Sequence, residues 1–375
     1  MTRLEARPAP SRPMMLASPL IAALAMLLTG AVLFALLGQE PVHAFAVFFI
    51  EPLSTAYGVG EWLLKATPLI LCGVGLALAF RANVQNIGAD GQLTIGAIGA
   101  GAVALHFPDV QGAWLLPLML LAGTLAGMAW AAIPALLRTL FNTNEILVSL
   151  MLVYVAYLLL SFLVHGPLRD PEGFNFPQSR MFQPAAMLPV LVEGLRTNGA
   201  FVLSLAAVAA AWFFCDRSFA GFRMRVSGMA PGAAAYAGFS AKRNVWLAFM
   251  ISGGLAGLAG VGEVAGPIGQ LQQSVTPGYG FAAIIVAYVG RLHPLGVLLA
   301  SLLMSLLYIG GETVQMELRM PSAITGLFQG LMLFYLLAAD LFIHYRFKPR
   351  QAARVSSPSP APAVALEAGS GEPAP

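Results

Sequence analysis

Charge is what this sequence has least of. Only 10% of its residues are Asp, Glu, Lys or Arg, against about a quarter in soluble domains, which excludes an ordinary water-soluble class. Cysteine is nearly absent: Cys72 and Cys215 are the two, neither has a CxxC partner or a nearby histidine, and both read as small buried hydrophobes. No GxxxxGK[ST] phosphate loop occurs, and AGSGEP in the tail lacks the lysine, so ATP is not bound by that motif. There is no HExxH, no second histidine at ligand spacing from His293, and no histidine in a recognisable nucleophile motif; an intramembrane enzyme is disfavoured. Ten-residue polar–apolar alternation is missing too, which argues against an outer-membrane barrel.

Long apolar runs are what remains. Leu16–Leu37 and Ile146–Val164 match the ~20 residues that cross a ~30 Å hydrocarbon layer. Apolar stretches at 16–38, 62–80, 92–107, 113–137, 146–165, 198–215, 244–265, 279–290, 295–311 and 323–343 predict an all-α membrane protein of about ten transmembrane helices. The stretch at 279–290 is short and reads as a half-helix. The first is too long for a cleaved signal peptide and lacks a clear cleavage site, so it reads as a retained helix.

With the N-terminus inside, 15 of the 20 basic residues fall on the cytoplasmic side, which predicts that both termini are cytoplasmic. The organisation is then a basic arm at 1–15, a transmembrane domain at 16–345 and a disordered Pro/Ser/Ala tail at 346–375. Outside, residues 39–61 contain an apolar piece, His43 to Ile50, expected to lie in the interface, and 166–197 reads as a lid or docking surface. The most basic interruption is 216–243, with Arg217, Arg223, Arg225, Lys242 and Arg243 against Asp216. Its Ala-rich middle, Pro231 to Gly238, predicts a short helix on the cytoplasmic face.

Several groups carry alternative readings. Gly123 and Gly127, like Gly253 and Gly257, share a helix face and point to tight packing. The segment RANVQNIGADGQ, 81–92, concentrates Asn86, Asp90 and Gln92 between two apolar stretches. It is either a cytoplasmic turn or a broken helix that aims polar groups at a solute path, since irregular backbone at membrane depth must line a cavity or be buried in protein. Asn144 and Glu145 open the fifth stretch, where helix capping explains them without further function. Glu263, near the end of the seventh, either faces water or lines a path.

A set of motifs gives these readings a family context: QNIGADGQ at 85–92, NEIL at 144–147, GPLRDP at 166–171, GFRMRVSG at 221–228, AAAYAGF at 233–239, SGGLAGLAG at 252–260, PGYGF at 277–281, GRLHPLG at 290–296 and GGE at 310–312. Over roughly 60–340 the chain resembles the membrane subunit of bacterial ABC importers of simple sugars, nucleosides and branched-chain amino acids, in the sugar/nucleoside branch. The resemblance implies a multi-pass permease of the bacterial inner membrane that passes a nucleoside or simple sugar, with no catalysis or cofactor of its own. It implies ATP and Mg bound by partner ATPase subunits, a second permease subunit, same or different, and an extracytoplasmic binding protein. It also implies a coupling helix within Arg223–Phe239, so Arg223, Arg225, Ala233, Ala234, Ala235, Tyr236 and Gly238 are the candidate ATPase contacts. Asn86, Asp90, Gln92, Asn144, Glu145 and Glu263 are the candidate path residues. The loop departs from the family pattern at Ala230 and Gly232, and Asp90 stands where Glu is usual. A different class, a stand-alone ion-coupled transporter or channel, requires paired intramembrane acids, for which Asp90 and Glu263 are the candidates.

Overall fold

The computed structural model describes residues 2–6, 12–109, 112–192 and 194–349. A short strand, β1 (Thr2–Ala6), opens the chain, and α1 (Arg12–Leu36) begins inside the expected basic arm. Next come α2 (Pro41–Phe45), with a π turn (Ala46–Ile50) and a 3-10 turn (Glu51–Leu53), then α3 (Ala56–Arg81), α4 (Ala89–His106), α5 (Leu115–Phe141), α6 (Glu145–His165) and α7 (Gly199–Arg217). The second part holds α8 (Phe219–Met229), α9 (Pro231–Tyr236), α10 (Ala241–Glu263) with a π turn to Ile268, α11 (Tyr279–Val289), α12 (Pro294–Glu317), α13 (Ala323–His344) and β2 (Tyr345–Pro349). β2 pairs antiparallel with β1, and its Tyr-Arg-Phe-Lys alternation has the period of an extended chain. The tail expected to be disordered lies, from residue 350 on, outside the described residues.

Ten of these helices occupy the ten apolar stretches. Six, namely α3, α5, α6, α7, α10 with its extension, and α12, are long and apolar enough to cross a membrane. Local chemistry sets their starts. Thr55, Asn144, Asn198 and Ser218 each accept a backbone N–H in the first turn of the helix they precede, satisfying donors that a helix start leaves unpaired.

α3 is the central post, buried on every side from Ala66 to Phe80. α10 lies against α3, α4 and α5. The two small-residue stretches at 122–129 and 252–260 pack on one another: a Cβ on Gly127 would stand 2.7 Å from Gly257 Cα, and one on Gly253 would stand 2.7 Å from Gly127 O. Lipid supplies no hydrophobic drive between helices, so backbone-to-backbone approach of this kind holds them by dispersion.

The apolar piece at 39–61 differs from its expected place in the interface. Val47 and Phe48 are buried, and Phe48 packs on Phe328 of α13 at 5.0 Å between ring centroids. It is a wedge inside the bundle, where Phe45, Phe48 and Phe49 stack on one another and on Phe34 and Phe328, as large aromatic rings bury well.

Candidate functional site

The break between α3 and α4 sits inside the protein. Val84 and Asn86 are buried, as are Asp90 and Gln92 in the first turn of α4. Asn83 closes α3 in the left-handed region, at φ 55°, where asparagine is tolerated. Asn86 then does what backbone does in a helix. Its Oδ1 accepts from Gly88 N at 3.0 Å, its Nδ2 donates to Gln92 Oε1 and to Ser252 Oγ, each at 2.9 Å, and Gln92 Nε2 donates back at 3.1 Å. The Asn86–Gln92 pair therefore ties the break to α10 and saturates itself.

Asp90 joins three elements. Gly280 N, at the start of α11, donates to Oδ1 at 2.6 Å, Thr276 Oγ1 donates to the same oxygen at 3.1 Å, and Tyr157 of α6 donates its hydroxyl to Oδ2. A carboxylate at a helix N-terminus is favoured by the orphan N–H groups and the helix dipole. Gly280 has to be glycine here, since its Cβ would overlap the Asp90 backbone.

Next to this joint opens a polar cavity of about 360 Å³ lined by Glu61, Lys65, Arg196, Glu263, Gln272 and Tyr279, with Leu64, Pro267 and Ile268 as its apolar wall. Lys65 Nζ is 2.8 Å from Glu312, Arg196 Nη1 is 3.3 Å from Glu61, and Arg196 Nη2 donates to Pro267 O at 3.2 Å. A hydrogen bond to Tyr57 raises the Arg196 pKa most, partial burial opposes it, and the Glu61 charge adds to it. The loop at 166–198 fixes the rim. Its backbone bonds to Leu271, Gly269 and Ala265 hold the chain that presents Gln272. A larger groove of about 490 Å³ between α3, α5, α7 and α10 is walled by residues such as Leu78, Met128, Phe214 and Leu255 and offers a polar solute nothing to bind.

Asn144 and Glu145 stand apart from this region. Asn144 caps α6, and Glu145 is paired with Arg138 at 2.6 Å. Asn144→Ala is expected to lower stability by about 1 kcal/mol, as loss of a helix cap does, with the solute affinity of the transporter unchanged; a thermal melt and an uptake KM check both.

At the far end of α10, the basic loop forms a helical hairpin rather than the single short helix expected. α9 covers the Ala-rich middle, and α8 precedes it. Arg223 Nε donates to Asn244 Oδ1 at 3.0 Å and Asn244 Nδ2 donates to Ser227 Oγ at 2.6 Å, which clamps α8 to the first turn of α10. Gly228 lies against the end of α3, where a Cβ would overlap Arg81 O. α9 projects outward: Tyr236 is 97% exposed, while Ala234 is buried beneath it.

Sequence reasoning missed Tyr157 and Thr276, which hold Asp90, and Lys65 and Arg196 in the polar cavity. Lys65, a cation at the edge of the apolar stretch 62–80, was the available signal.

Residues 58–337 match the family described as "Branched-chain amino acid transport system / permease component". The chain is 37% identical over 340 residues to a glucose ABC transporter permease protein of Haloferax volcanii, covering 88% of this chain and 89% of that one. It is also similar to two guanosine ABC transporter permease proteins of Bacillus subtilis. One is 30% identical, covering 86% of this chain and 92% of that one; the other is 31% identical, covering 64% and 77%.

Proposed function

We infer the function from one premise: this chain belongs to the family of branched-chain amino acid transport system permease components and is a multi-pass permease subunit of an ABC transporter. We propose that it forms, in a prokaryotic plasma membrane, half of the inward path for a simple sugar or a nucleoside. Its relatives' substrates support that class. Two guanosine permeases in one organism support pairing with a second, different permease. ATP and Mg belong in this reading to separate ATPase subunits, and an extracytoplasmic binding protein delivers the solute to the face that carries 166–198.

The observation that carries the reading is the exposed α8–α9 hairpin clamped onto α10. A short projecting helix held by Arg223, Ser227 and Asn244 transmits a push from a partner into the bundle, whereas a free loop dissipates it. We assign the ATPase contact to α9, through Ala233, Ala235 and Tyr236, with Arg225 on the adjoining helix; Ala234 and Gly238 shape the hairpin. Among the candidate path residues, Glu263 faces the polar cavity, and Asn86, Asp90 and Gln92 build the frame behind it. The ion-coupled alternative asks Asp90 and Glu263 to act as a pair of free acids, yet three donors occupy Asp90, which leaves Glu263 without an acidic partner.

Ala233→Glu with Ala235→Glu changes only exposed positions of α9. Uptake by the assembled transporter is expected to fall about tenfold, within the range of ordinary coupling energies, while the amount of subunit in the membrane stays constant. Uptake at the wild-type rate removes α9 as the coupling element.

A further inference from the structure

Glu263, Gln272 and Tyr279 in the polar cavity are left over by everything above. Glu263 is only 7% exposed, yet it accepts no hydrogen bond from, and forms no ion pair with, any described residue. Its carboxyl oxygens border the cavity and are not sealed inside the fold, so their hydrogen-bond partner comes from the cavity side. The two cations beside it are committed elsewhere, Lys65 to Glu312 and Arg196 to Glu61 and Pro267 O. The Gln272 amide and the Tyr279 hydroxyl on the same wall have no side-chain partner among the described residues, so with Glu263 they offer both donors and acceptors to a molecule in the cavity.

The charges limit what that ligand is. Lys65 and Arg196 on the wall oppose a cation, and Glu61 opposes an anion, which leaves a neutral polar molecule. A carboxyl group presents two oxygens side by side, which suits two adjacent hydroxyls; the same acid-to-diol pairing selects a ribose in dinucleotide sites. Leu64, Pro267 and Ile268 provide an apolar face for the C–H side of a ring, and about 360 Å³ lies at the lower end of the ~300–1,000 Å³ typical of small-molecule sites. We propose that this cavity, inside a single subunit, is a binding site for the vicinal diol of a sugar or ribose ring, held by Glu263 with Gln272 and Tyr279 beside it. The proposal deepens the permease reading and rests on it for the choice between hexose and nucleoside.

The test uses the assembled transporter in nanodiscs, melted in the presence of D-glucose, uridine or 2′,3′-dideoxyuridine, each at high millimolar concentration. A shift of about 2 °C, as a ligand well above its Kd produces, is expected with glucose or uridine and not with dideoxyuridine. Glucose alone identifies a hexose site, and uridine alone a ribose site. Glu263→Gln is expected to remove the shift while leaving the midpoint of the ligand-free complex near that of the parent; a packing role for the acid lowers that midpoint. No shift with either diol, an equal shift with dideoxyuridine, or a Gln variant that is less stable or fails to accumulate overturns the site. Uptake of labelled glucose and uridine by the same complex in proteoliposomes reads the substrate class separately. A diol-dependent shift without uptake of either leaves the site standing and removes that class.

Discussion

A Gly257→Leu subunit is expected to disappear from the membrane. A Cβ on Gly257 would overlap Gly123 O and stand 3.1 Å from Gly127 Cα, and Gly257 Cα already lies where a Cβ of Gly96 would be. The obstacles are backbone atoms of α5, so no rotamer change relieves the overlap and the helices must separate. Overpacking a core against movable side chains destabilises by about 1–3 kcal/mol. Against fixed backbone, about 5 kcal/mol or more is expected, comparable with the whole stability of many domains. Membrane yield and the melting midpoint read the effect. Gly254→Ala is the control: its Cβ would stand 3.1 Å from Met128 Cγ, the flexible side chain of a neighbour, and near-normal yield is expected. A Gly257→Leu protein that accumulates and melts normally would show that α10 does not pack on α4 and α5 as described.

The second large effect belongs to Asp90→Ala. Truncation leaves the buried Gly280 N–H and the half-buried hydroxyls of Thr276 and Tyr157 without their acceptor. The buried orphan costs about 1–3 kcal/mol and the half-buried hydroxyls add less, so a total loss of about 2–4 kcal/mol is expected. Since the joint sets where α4, α6 and α11 meet, uptake and membrane yield are expected to fall together. Asp90→Asn keeps an acceptor for Gly280 N–H and should recover most of the yield. Uptake lost with yield intact in the Ala variant would make Asp90 a solute contact instead of a joint.

How much of this was legible depends on what each residue answers to. Apolar stretches answer to lipid and water, which a sequence displays, so the ten stretches and the ten helices coincide within a few residues except where a cap such as Thr55 starts α3 early. Glycine pairs four apart were readable as packing faces for the same reason. α8 was not, because Phe219–Met229 mixes phenylalanines with arginines in a pattern that a loop also shows. The apolar piece at 39–61 is composed like an interfacial helix; only its three-dimensional neighbours, Phe34 and Phe328, turn it into a buried wedge. In the candidate site the residue types at 86–92 were visible, but their partners Ser252, Thr276 and Tyr157 are 67 to 186 positions away, beyond any local pattern. The polar cavity was hidden similarly, since Lys65, Arg196 and Gln272 meet only after folding.

The glycine face between α10 and its neighbours has a mechanical consequence. Helices that interlock by ridges and grooves must unlatch side chains before one can slide. A strip of Gly96, Gly123, Gly127, Gly253 and Gly257 presents no such teeth, and friction against an axial shift is correspondingly low. Asn244, clamped to the hairpin, and Glu263, in the polar cavity, lie on this one rod, roughly 28 Å apart at 1.5 Å per residue. A displacement of the hairpin along that axis is carried toward the cavity, and the hydrogen bond from Asn86 to Ser252 opposes its travel.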